Sequence, residues 1–334
     1  MTRQLIPVVI SFIVIICAIS GYIYLQGLWP WHGECRSQLA LDFPEDNLKQ
    51  HVWALAEHIG ERHYQQAGSL EKAAAYIHSV FTAYGLATEY QQYGDGYMNL
   101  LVTVPGKNPG KPGAREVIVV GAHYDSVWLS SGADDNASGV AVLLELARIL
   151  SRIPLQKTVQ FVAFTNEEHP FADTGQMGSY VYLKQARMDG VKIIAMYSLE
   201  MLGFYSDKPG SQQYPFPLNL VYPQTGNFVA MVSNLPSTHL LLQSLSAFRQ
   251  HSSFPAQGLA MSESLIADIR RSDHAQFWDA GIPSLMLTDT SFYRNERYHT
   301  VGDLARTLDY KKMAQLTPAL ACMLADMAGY SLSD

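Results

Sequence analysis

Three successive apolar runs in this chain each end in acid or histidine, and that pattern restricts the fold more than any other feature. Glu116 to Ala122 (EVIVVGA) is followed by His123-Tyr124-Asp125. Thr158 to Thr165 (TVQFVAFT) leads into Glu167-Glu168, and Val191 to Leu199 into Glu200. The first run is apolar throughout, as in strands buried on both faces of a parallel sheet. Helical spacing fills the gaps, through Val142, Leu143, Leu146 and Leu150 in Ser138–Ser151 and again over Gly178–Arg187. Alternating strand and helix predicts an α/β fold with a mostly parallel sheet and helices on both faces. In such a sheet, charged groups just past the strand ends converge on one crevice.

The flanking regions read less regularly. Asn47–Gly60 and Ser69–Tyr84 have helical spacing, Tyr97–Val104 reads as a strand, and Ile282–Leu287 as a further one. Lys107–Gly113 is a loop rich in Pro and Gly. Residues 204–225 look like a long surface excursion, and 251–272 look irregular apart from a short element at Ser264–Arg270. Long loops of this kind are often functional.

From Leu5 to Leu25 no residue is charged, and about 20 apolar residues suffice to cross a bilayer. Arg3 precedes this run, and Trp29 and Trp31 follow it. The expectation is a single membrane-spanning helix with Met1 in the cytoplasm and the remainder outside it, periplasmic or extracellular. A cleaved signal peptide is the other reading. The chain then divides into an anchor at 1–28, a connector at 29–45 and a catalytic domain at 46–334. A net charge of -7 with no basic tract gives nucleic-acid binding no electrostatic support. Cys35 and Cys322 can pair if the domain is exported.

Five clusters carry the chemistry. His123 has the residue type of a metal ligand, and Asp125 two positions on faces the same side of an extended segment and can orient it. In Gly132–Gly139 (GADDNASG) the acids Asp134 and Asp135 precede a helix, where capping alone would explain one of them. Asp135 is read as a ligand that can bridge two ions. Of Glu167 and Glu168, one would bind metal and the other take a proton from water. Glu200 alone is equally a helix-terminal acid or an arginine partner. Tyr298-His299 supplies a second imidazole, with a phenol able to hydrogen-bond an oxyanion. Ser272-Asp273-His274 adds polar groups near the crevice, with His274 read as a supporting or substrate-side residue. Jointly these groups describe a hydrolytic metal centre.

The set GAHYDS (121–126), GADDNASG (132–139), NEE (166–168), SLEMLG (198–203), SDHAQFWDAGIPSLML (272–287) and YHTVGD (298–303) resembles the M28 family of zinc peptidases. The likeness covers roughly 45–330 with order and spacing kept. It implies a three-layer α/β/α zinc-exopeptidase fold and two Zn2+ ions. His123, Asp135 and Glu200 would hold one ion, with Asp135 bridging, and Glu168 and His299 the other. Glu167 would be the general base, Asp125 the partner of His123, and Tyr298 an oxyanion donor. The family usually has Asp at position 200, so Glu200 reaches further by about 1.5 Å.

The resemblance implies an aminopeptidase acting on peptides with a free N-terminus. Glutaminyl cyclase chemistry on the same fold is one alternative, and His123 with Asp125 argues against it. A carboxypeptidase would want a basic pocket, for which Arg270, Arg271, Arg294 and Arg297 are the local candidates. A non-catalytic binding ectodomain is a further alternative.

Overall fold

The structure is a computed structural model that describes residues 45–107 and 116–330. The apolar run at 5–25, the connector up to residue 44, Cys17 and Cys35 lie outside the described residues. Among those described, no helix is long and apolar enough to cross a membrane.

One sheet of eight strands forms the centre, in the order β1-β2-β4-β3-β5-β8-β6-β7. The strands are β1 Thr88–Tyr93, β2 Tyr97–Val104, β3 Glu116–His123, β4 Thr158–Phe164, β5 Lys192–Glu200, β6 Val229–Asn234, β7 Ala256–Met261 and β8 Ser284–Thr288. The four central strands β4, β3, β5 and β8 run parallel, and β6 and β7 are parallel to each other. The β1–β2, β2–β4 and β6–β8 pairs are antiparallel. The expected sheet is therefore correct at its centre and mixed at its margins.

The helices are α1 Glu45–Trp53, α2 Ser69–Ala83, α3 Gly139–Leu150, α4 Gly178–Met188, α5 Thr238–His251, α6 His274–Asp279 and α7 Tyr310–Met327. The pleat of β3 sorts them into two layers. Ile118, Val120 and Ala122 join the large core formed with α1, α2, α3, α5 and α7. Val117 and Val119 face the other way, against Tyr182 and Leu183 of α4 and Phe277 of α6. Side chains that alternate between two covered faces explain why β3 reads as unbroken apolar sequence.

Residues 251–272 are not irregular throughout, because β7 lies within them. Gln257 and Leu259 are only half-buried there, and as an edge strand β7 carries a weak apolar signature. Cys322, buried in α7, is disulfide-bonded.

The chain crosses from β4 on one side of β3 to β5 on the other. A crevice opens at such a reversal, at the C-terminal ends of the strands. His123 is the last residue of β3, and Glu200 the last of β5.

Candidate metal centre

Each group in the crevice is delivered by a different piece of backbone. His123 and Glu200 come directly from strand ends. Beyond β4 the chain turns at Asn166, whose φ is +61°, and this brings Glu167 and Glu168 in. Asp135 lies on the irregular turn Ala133–Ser138 that leads into α3. There Gly139 must be glycine, because a Cβ would collide with the Asn136 side chain and the Leu199 carbonyl. His299 arrives from the loop that follows β8.

The result is two groups of three that share one residue. His123 Nε2 is 3.2 Å from Asp135 Oδ1 and 3.4 Å from Glu200 Oε2. His299 Nε2 is 3.0 Å from Asp135 Oδ2 and 3.2 Å from Glu168 Oε1. In each group the donor atoms lie within 4.8 Å of one another, and Asp135 offers one oxygen to each. Glu167 stands at their edge, with Oε2 3.9 Å from His123 Nε2. Buried His123 Nε2, Asp135 Oδ1 and Glu168 Oε1 have no hydrogen-bond partner. Unsatisfied buried groups are costly, and a divalent cation at each cluster would satisfy all three. The mixed imidazole and carboxylate set suits zinc.

A second ring of polar groups holds these side chains in place. His123 Nδ1 lies 3.2 Å from the Asp125 carbonyl and 3.5 Å from its carboxylate. The same carboxylate accepts the backbone N–H groups of Glu167 and Glu168. Asp303 accepts those of Asp134 (2.9 Å) and Asp135 (3.1 Å). Asp134 accepts Gly203 N–H and the Asn295 amide, so it knits loops together and belongs to neither ligand group. Ser272 donates to Glu200 Oε2 at 2.7 Å and is itself bonded to Ser198. Beneath the crevice, fully buried Arg62 donates to the carbonyls of Tyr124, Leu55, Gly60, Ser131 and Gly132.

The charges respond to this crowding. Burial raises the carboxyl of Glu168 to about 7, with Asp135 adding to it. Burial likewise pushes Glu167 well above the usual range, and Glu168 and Glu200 reinforce it against the pull of His123. For His299, burial works downward but the adjacent carboxylates of Asp135 and Glu168 outweigh it and hold the imidazole at about 10. So many acids at one point require positive charge nearby.

The structure brings His123, Asp125, Asp135, Glu167, Glu168, Glu200 and His299 together as the sequence suggested. Tyr298 stacks on His299, with ring centroids 3.7 Å apart. Burial, and then the charges of Asp135 and Glu168, raise its phenol above the ordinary range. His274 departs from expectation. It is buried, its Nε2 bonds the Ile269 carbonyl at 2.7 Å, and its ring packs edge-on against Trp278. Burial lowers its pKa to about 4, so it is a neutral packing residue. Of the basic candidates, Arg270 is tied to Asp279 and Glu263, and Arg294 is buried against Gln212.

Arg62 and Asp303 escaped sequence reasoning as supports, while that reasoning places Ser272 near the crevice without a role of its own. Asp303 closes the YHTVGD cluster, and its place there is the one available signal. Arg62 sits in an unremarkable polar stretch 62 residues before Tyr124, whose carbonyl it holds just past the end of β3.

The peptidase family M28 model matches residues 99–323. The chain belongs to peptidase family M28. Among curated relatives, the uncharacterized protein YfbL of Escherichia coli (strain K12) is 35% identical over 308 residues, covering 88% of this chain and 92% of that one. A probable leucine aminopeptidase of Arthroderma otae is 23% identical, covering 89% and 76%. BSAP, a zinc aminopeptidase from Bacillus subtilis, superposes with a TM-score of 0.66 at 16% identity, covering 88% and 99%. The eight-stranded mixed α/β architecture is thus that of the M28 fold.

Proposed function

We propose that this M28 member is a zinc-dependent aminopeptidase with two ions per chain. The observation that carries this is Asp135, shared between two ligand triads beside the free carboxylate of Glu167. His123, Asp135 and Glu200 would hold one ion, and Asp135, Glu168 and His299 the other. When bound, such a pair supplies Lewis acidity toward the scissile carbonyl and makes water a stronger acid. Glu167 takes the proton of the attacking water and returns it to the leaving amine. Tyr298 donates to the carbonyl oxygen as negative charge develops there. Asp125 keeps His123 and the Glu167–Glu168 backbone in fixed relation.

A pocket with a cavity volume of about 100 Å³ opens beside Glu200 and Tyr298, with a largely apolar lining. It is suited to the side chain of the N-terminal residue. Arg270 and Arg294 are already paired, and Arg271, the arginine in the cavity lining, stands 3.5 Å from Asp268 of the same lining, which offsets its charge toward a substrate carboxylate. The place of His123 within a triad speaks against cyclase chemistry.

The test uses zinc-loaded protein and matched peptides with free, acetylated and glutaminyl N-termini, read by mass spectrometry. Stepwise loss of single residues from free N-termini alone is the expected result. Ammonia loss, C-terminal trimming or no change would each contradict the reading.

The segment at 5–25 we read as a bilayer anchor that displays the enzyme outside the cytoplasm. Its uncharged sequence supports this, and so does the disulfide at Cys322, a feature of oxidising compartments. Release of the protein from membranes by alkaline wash alone would refute it.

A further inference from the structure

The cavity beside Glu200 and Tyr298 has a floor and a roof of different character. Its floor is regular structure, with Phe228 and Val232 of the β6 region and Met286 of β8 in a compact apolar cluster. Its roof is the excursion 204–225, which contributes Tyr214, Leu218 and Tyr222. The only helix in that excursion is the single turn Leu218–Leu220. Its outer face is open, with Phe216 81% and Leu220 72% exposed. Regular backbone pairing therefore does little to fix the height of the roof; Leu218, Tyr214 and Tyr222 pack on the floor cluster, and hydrogen bonds hold the rest of the excursion in place.

One residue supplies an unusual share of those bonds. Gln212 is 2% exposed although it lies in a surface excursion. A glutamine amide has two donors and a carbonyl with two lone pairs, and here the whole set is engaged. Oε1 accepts from Arg294 Nε at 2.8 Å and from Thr290 Oγ1 at 3.1 Å. Nε2 donates to Thr290 Oγ1 at 2.8 Å and to the Gln213 carbonyl at 3.0 Å, with the Tyr293 carbonyl a longer shared contact at 3.4 Å. Arg294 then donates to the Phe204 carbonyl at the start of the excursion, and its guanidinium lies 4.6 Å from the Phe228 ring centroid in the floor. At the far end, Gly226 makes room for it, since a Cβ there would stand 2.8 Å from Arg294 Nε. Floor, roof and the loop Thr290–Arg294 thus meet at one buried amide.

We propose that Gln212 is a positioning residue that pins the roof and so sets the preference for large apolar N-terminal residues. This rests on the aminopeptidase reading. A large side chain gains from contact with both surfaces of the cavity, whereas alanine reaches neither fully. Unpinning the roof removes that gain selectively.

The experiment compares wild-type enzyme with Gln212→Ala and Gln212→Met on phenylalanyl, leucyl and alanyl anilides. The methionine variant keeps the volume without the bonds, so it serves if the alanine variant fails to fold. Bound zinc per chain and proteolytic cleavage within 204–225 are measured alongside. The expected result is a fall of about tenfold in the phenylalanyl-to-alanyl ratio of kcat/KM, mostly through KM. Zinc content should hold, and cleavage of the excursion should quicken. An unaltered ratio in a folded variant, or an equal loss on all three substrates, would overturn the proposal. A wild-type protein that releases no N-terminal residue refutes the aminopeptidase reading instead, and the proteolysis then still reports on the pin.

Discussion

Asp125 Oδ2 accepts the backbone N–H of Glu168 at 3.1 Å, while Oδ1 of the same carboxylate takes that of Glu167 at 3.2 Å. One carboxylate beside His123 therefore also fixes the turn that carries a proposed ligand and the proposed base. Asp125→Ala should weaken zinc binding and lower kcat, each by about 10–100-fold. Isothermal titration with zinc and steady-state kinetics check this. A loss of kcat with unchanged zinc affinity would confine Asp125 to the Glu167 side.

Glu167 approaches the centre without belonging to either triad. Glu167→Gln should keep zinc content and KM while kcat falls by about 10²–10⁴-fold. Metal analysis alongside kinetics separates this from a ligand role, for which zinc would be lost.

Glu200 reaches its position with one methylene more than an aspartate would have, and Ser272 fixes its Oε2 at 2.7 Å. Glu200→Asp should break that bond, withdraw the oxygen from His123 and weaken one of two zinc sites. Competition with a chromogenic chelator would then show one affinity lowered and the other kept. Two unaltered affinities would remove Glu200 from the ligand set.

The metal-free protein should lose stability as pH rises. Burial raises the carboxyls of Asp289 and Asp303 to about 7, against about 3.9 for an unfolded aspartate. Between those values the native state binds more protons than the unfolded state, so stability falls as pH climbs through roughly 4 to 7. His299, held at about 10 by Asp135 and Glu168, has the same sign from roughly 6.5 to 10. Calorimetry in chelator should show Tm declining across this span, with Asp289→Asn flattening the lower part. A Tm that rises from pH 5 to 7 would contradict the assignment.

The sequence made the centre of the sheet legible because β3, β4 and β5 are buried on both faces and carry unbroken apolar runs. His123, Glu168 and Glu200 were legible for the same reason, since each stands at or just past a strand end, whereas Asp135 and His299 were legible through the GADDNASG and YHTVGD clusters. β7 was not, because an edge strand with Gln257 and Leu259 half-buried lacks a clear period. The supporting ring was hidden by distance along the chain. Asp303 lies 168 residues from the Asp135 N–H that it holds, and Arg62 lies 70 from the Gly132 carbonyl. Such pairings follow from tertiary closure and leave no local trace. Gln212 was hidden differently, as a buried amide inside a stretch whose composition reads as surface.

Zinc stoichiometry tests the central claim most directly. Native mass spectrometry during a zinc titration, with peptidase activity followed in parallel, should show two ions per wild-type chain. In Asp135→Ala, the one ligand common to both triads is gone, and both occupancy and activity should collapse together. Full activity at one ion per chain, or two ions retained in the variant, would contradict a centre built around Asp135.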